Sequence, residues 1–110
     1  MIDKNKYKFH HVGIPTKLSR DNEKYHPDLK FYHSGYETSE FGIEWMRFEK
    51  DCPLPEIVQT VAHVAFQVDD LEQAIRGQEL LIEPNSPSDG VKVAFILDQG
   101  APVELIQIDD

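Results

Sequence analysis

A strand that opens on a histidine occurs twice in this chain. His11-Val12-Gly13-Ile14 and His63-Val64-Ala65-Phe66 stand 52 residues apart, and both alternate between an apolar and a mixed side. In the second copy Val64, Phe66 and Val68 share one side, while His63, Ala65 and Gln67 share the other, the period of a half-buried strand. The period then changes. Asp69 or Asp70 can cap a helix, Glu72 or Gln73 can close a capping box, and Leu71, Ala74 and Ile75 fall on one helical face. Gly77 is a stop signal. A chain that repeats such an opening is constrained to build two similar units.

The ends of the two halves match as well. Gly42-Ile43-Glu44-Trp45-Met46-Arg47-Phe48 aligns with Pro102-Val103-Glu104-Leu105-Ile106-Gln107-Ile108. Each has an apolar residue, a glutamate, two apolar residues, a polar one and an apolar one. Each half therefore opens on a histidine strand and closes on a glutamate strand, pairing His11 with Glu44 and His63 with Glu104. Glu44, Met46 and Phe48 share a strand face. An unpartnered buried carboxylate costs several kcal/mol, so a glutamate in that phase asks for a partner.

Two imidazoles and two carboxylates suit a divalent first-row ion such as zinc, nickel, iron or manganese. Four ligands on strands leave positions open for water or substrate. A metal there can polarise a carbonyl and stabilise an enolate, and a carboxylate at its edge can serve as base. His10 points away from His11. His26 and His33 have no match in the second half, and exposure or packing accounts for them. Met46, Phe48, Ile106 and Tyr36 are candidates for lining a cavity, with plain core packing as the alternative.

Between these landmarks, Phe9–Ile14 reads as a strand closed by Pro15, after a polar lead-in over residues 1–8. The polar stretch from Thr16 to Asp28 can hold a short helix around Ser19–Tyr25. Leu29–His33 and Tyr36–Ser39 read as strand pieces joined at Ser34-Gly35. Residues 9–52 form a first module, 53–60 a linker carrying Pro53 and Pro55, and 61–110 a second module, together one structural domain. In the second, Glu79–Glu83 is a strand, 84–90 a turn-rich loop, Val91–Leu97 a strand, Gln99-Gly100 a turn and Pro102–Ile108 the last strand.

Composition narrows the partners. With 11 Lys and Arg against 20 Asp and Glu, the net charge is −9, and no basic stripe is present for a nucleic-acid backbone. No apolar run has the length of a membrane span, and the start lacks a signal peptide's apolar stretch, so a cytoplasmic location is expected. The single cysteine, Cys52, excludes an intrachain disulfide and a thiolate metal cluster.

HVGI at 11–14, HVAFQVDDLEQAI at 63–75 and PVELIQ at 102–107 together resemble the vicinal oxygen chelate superfamily. That group holds glyoxalase I, methylmalonyl-CoA epimerase, the extradiol dioxygenases and the fosfomycin and bleomycin resistance proteins. The resemblance implies an α+β fold of two βαβββ modules whose curved mixed sheets enclose a cavity. It also implies metal ligands at His11, Glu44, His63 and Glu104. The first half spans 33 positions from histidine to glutamate and the second 41, so the first module is abbreviated. Extradiol ring cleavage fits less well, since its further catalytic residues have no match.

The expected function is that of a small metal-dependent lyase or isomerase of glyoxalase or epimerase type. It would act on a small carbonyl or carboxylate substrate through a metal-stabilised enediolate, with Glu104 or Glu44 moving the proton. The alternative is a non-catalytic small-molecule binding protein like the bleomycin resistance branch. A homodimer is expected, because curved sheets leave open edges and the resemblance favours one.

Overall fold

The computed structural model describes residues 6–109. The first five residues of the expected lead-in, and residue 110, lie outside it. The chain divides into two compact units, one of residues 11–63 and the other of the segment from 64 onward with the segment before His11. Each half of the chain contributes four strands in a curved, mixed arrangement.

In the first half the strands are β1 (Lys8–Pro15), β2 (Lys24–His26), β3 (Phe31–Ser34) and β4 (Ile43–Phe48), ordered β2-β3-β4-β1. β1 runs parallel to β4 with Gly13 opposite Glu44. β3 is antiparallel to β4, with His33 opposite Met46 and Phe31 opposite Phe48. β2 is antiparallel to β3. Side chains alternate across a strand, so Glu44, Met46, Phe48, Phe31 and His33 share one face.

In the second half β5 (His63–Gln67) leads into helix α2 (Leu71–Ile75), then β6 (Glu79–Ser88), β7 (Val91–Asp98) and β8 (Ala101–Ile108), ordered β5-β8-β7-β6. β5 is parallel to β8 with Ala65 opposite Glu104, and the other neighbours are antiparallel. This is the βαβββ order that the resemblance implies. The register matches the first half, since Gly13 and Ala65 each follow a histidine by two and each face a glutamate. Parallel neighbours need a crossover, and here the crossover supplies the remaining strands of the sheet.

Local chemistry sets the second unit. Asp70 caps α2 by accepting from the Gln73 N–H at 3.2 Å, and the Leu71 N–H donates to Gln107 Oε1 at 2.8 Å. Gly77 takes φ +79° just past the helix, a conformation a side chain would resist. Leu71 and Leu105, each 1 % exposed, pack with Val68, Ala94 and Ile96 under α2. The opposite sheet face carries a second cluster of Ala65, Val93 and Ile106, and Glu104 falls in the same phase as Ile106. Gln99 and Gly100 both have positive φ, 52° and 84°, as a tight two-residue hairpin requires.

Four expectations need correction. No helix forms over Ser19–Tyr25; Lys24–His26 is a strand. Arg47 on β4 grips Glu23 through Nε and Nη2 at 2.9 and 2.8 Å and lies 4.1 Å over the Tyr32 ring, which ties this segment to the sheet. Tyr36–Thr38 is a short 3-10 turn rather than strand, because Gly35 at φ +91° breaks the extended backbone. Leu29 and Lys30 precede β3, with Lys30 at φ 55°. Residues 84–88 continue β6 instead of looping, with register shifts against β7. β6 is an edge strand, where prolines such as Pro84 and Pro87 are tolerated because they need not donate to a neighbour. Within 53–60 the chain forms a short helix, α1 (Glu56–Thr60).

Candidate metal centre

His11 and His63 are the two buried histidines, 5 % and 2 % exposed. Their ring centroids lie 5.7 Å apart and the rings are nearly perpendicular, at 81°. Each enters from a strand, so backbone pairing fixes where its Cβ points. Tyr36 sets its ring edge-on to His11 at 5.8 Å, which places this aromatic beside the centre.

Gly13 makes room for the second imidazole. A Cβ built there would stand 2.2 Å from Cε1, 2.7 Å from Nε2 and 2.8 Å from Nδ1 of His63. The His63 ring therefore lies directly against the β1 backbone, a position only glycine leaves open. This residue escaped the sequence reading, although a glycine inside a strand pattern is a signal of close approach.

The carboxylates are placed differently. His11, His63 and Glu104 form a group in which one ligand atom from each lies within 4.8 Å of the others. Glu44, one strand from His11, has Oε1 4.0 Å from His11 Nε2 and Oε2 3.5 Å from His33 Nδ1. The donor set of two imidazoles and a carboxylate is one that divalent first-row ions accept, so the cluster is capable of coordinating a metal.

The sequence left His33 to exposure or packing. It joins a row of rings on the face of β3 and β2. His26 stacks on Phe31 at 4.6 Å and 11° and stands 4.7 Å from His33. Burial, and then the neighbouring His33, hold His26 below the ordinary histidine range, while Glu44 acts the other way. A narrow cleft of about 80 Å³ opens beside the row, lined by Lys24, His33, Ser34, Tyr36 and Glu44 among others. That space holds a few water molecules or one small polar group. Of the expected lining residues, Met46 and Ile106 are buried and Phe48 packs on Phe31 at 5.7 Å.

No protein-family model and no curated protein matches the sequence. Solved structures do. A hypothetical protein of Bacillus halodurans C-125 superposes with a TM-score of 0.72 at 19 % identity, covering 94 % of this chain and 96 % of that one. Methylmalonyl-CoA epimerase from Mycobacterium tuberculosis superposes with a TM-score of 0.68 at 16 % identity, covering 100 % of this chain and 94 % of that one. Similarity at this level of identity establishes the shared glyoxalase-like fold.

Proposed function

We propose that this chain is a small metal-dependent lyase or isomerase of glyoxalase or epimerase type, acting on a small carbonyl or carboxylate compound. The observation that carries the reading is the convergence of His11, His63 and Glu104 within 4.8 Å, together with Glu44 beside His11. The likeness to an epimerase structure supports the same class. A bound divalent ion supplies Lewis-acid polarisation of a substrate oxygen, which acidifies the adjacent carbon.

The residues of the chain do the rest. His11 and His63 would offer ring nitrogens to the ion from buried positions, where little water competes. Glu104 and Glu44 supply carboxylate oxygens, and one of them moves a proton between substrate carbon atoms. Glu44 fits that role because it borders the cleft, so its carboxylate meets both the centre and an approaching ligand. A homodimer is a further part of the proposal, since a second copy would cover the open edges that curved sheets leave.

The test is elemental analysis of protein purified without chelator or affinity nickel, with Glu104→Ala and His63→Ala beside it. The expected result is about one ion per chain in the wild type and loss in both variants. Wild-type protein that carries no ion, and takes up none from micromolar zinc, nickel, iron or manganese, would overturn the enzyme reading in favour of a metal-free binding protein.

A further inference from the structure

The geometry points to His33 as a positioning residue for Glu44, holding one carboxylate oxygen so that the other faces His11. This rests on the metal-centre reading above and deepens it. The two residues are diagonal neighbours on adjacent strands, since His33 pairs with Met46 and Glu44 lies two residues before Met46 on the same face. Nδ1 of His33 meets Oε2 at 3.5 Å, while Oε1 lies 4.0 Å from His11 Nε2. The carboxylate thus spans two histidines with one oxygen toward each.

His33 is itself held. His26 stands 4.7 Å away and is clamped by its stack on Phe31 at 4.6 Å. Phe31 in turn packs on Phe48, and the Phe31 ring lies 6.5 Å from His33. A ring so braced sets the orientation of the carboxylate it touches, as outer partners of metal-centre ligands do. The pair also borders the cleft, where a ligand would meet it. A glutamate side chain has three rotatable bonds, and without a brace it would sample orientations that offer both oxygens or neither.

The experiment is a double-mutant cycle read on zinc affinity, measured by competition with a chromogenic chelator in the full chain. Its members are wild type, His33→Ala, Glu44→Ala and the double variant, with His33→Asn and His33→Gln as further probes. A side-chain amide of asparagine can replace Nδ1, whereas that of glutamine stands in for Nε2. The expected result is about a tenfold loss of affinity in His33→Ala, recovery in His33→Asn but not in His33→Gln, and no further loss when His33→Ala is added to Glu44→Ala.

Equal losses in the presence and absence of Glu44 would overturn the proposal, because His33 would then be acting on folding or elsewhere. Unchanged affinity in His33→Ala would overturn it as well, and would leave the metal centre standing. Wild-type protein that binds no zinc is a different failure; it removes the metal-centre reading and the role of His33 with it. Thermal unfolding of each metal-free variant separates misfolded protein from a displaced carboxylate.

Discussion

Replacing Gly13 with alanine would place a methyl carbon 2.2 Å from Cε1 of His63 and within 2.8 Å of both ring nitrogens. Carbon atoms in contact settle about 3.5–4.0 Å apart, so the imidazole must retreat by roughly 1 Å or more. It has little freedom to do so, being 2 % exposed and faced by the His11 ring at 5.7 Å. Metal–ligand distances are held to within about 0.2 Å, so a shift of that size removes His63 from the coordination sphere or drags His11 with it. Gly13→Ala should therefore weaken zinc binding by at least about 10–100-fold, the loss typical when a ligand's support is removed. Overpacking should also destabilise the metal-free protein by about 1–3 kcal/mol. Ala65, at the matching position of the second half, is fully buried, so the exclusion of a methyl group belongs to the site of His63 and not to this strand pairing in general. Chelator competition and denaturant unfolding, run on the same preparations, measure the two effects. Unchanged zinc affinity with an unchanged unfolding midpoint would refute the argument, since it would mean that the His63 imidazole does not lie against β1.

Two further outcomes follow from packing and charge. Leu71→Ala should cost about 2–5 kcal/mol, because Leu71 fills a closed cluster with little freedom to collapse; a lower urea midpoint at an unchanged slope is the expected signature. His26, held below its ordinary value of 6.5 by burial and then by His33, takes up its proton more readily in the unfolded chain. Stability should be fully present above 6.5 and fall as pH drops toward the lowered folded value. Urea midpoints at about pH 7.5 and about pH 5.5 should show that fall, and it should shrink in His26→Gln; an equal fall in both proteins would remove His26 as its source.

Much of the fold is legible because it depends on local periodicity. The alternation in HVAFQV gives a strand, and Asp70 with Leu71, Ala74 and Ile75 gives a capped helix, whatever the rest of the chain does. Those elements appear where the pattern placed them. Two of the failures share one cause, contact with residues far along the chain. Ser19–Tyr25 has no strong local preference, and a distant Arg47 decides its conformation through Glu23. Residues 84–88 look like a loop by composition, yet pairing with β7 holds them extended.

The candidate centre divides in the same way. By itself the sequence determined that two histidine strands and two glutamate strands repeat, and the period of two assigned His11, Glu44, His63 and Glu104 to definite strand faces. Only the tertiary structure decided that Gly13 cedes its space to the His63 ring, that Glu44 turns one oxygen to His33, and that His26 and Phe31 brace that histidine. Each of these depends on strand register, which sets neighbours across the sheet through backbone pairing between residues far apart in the chain.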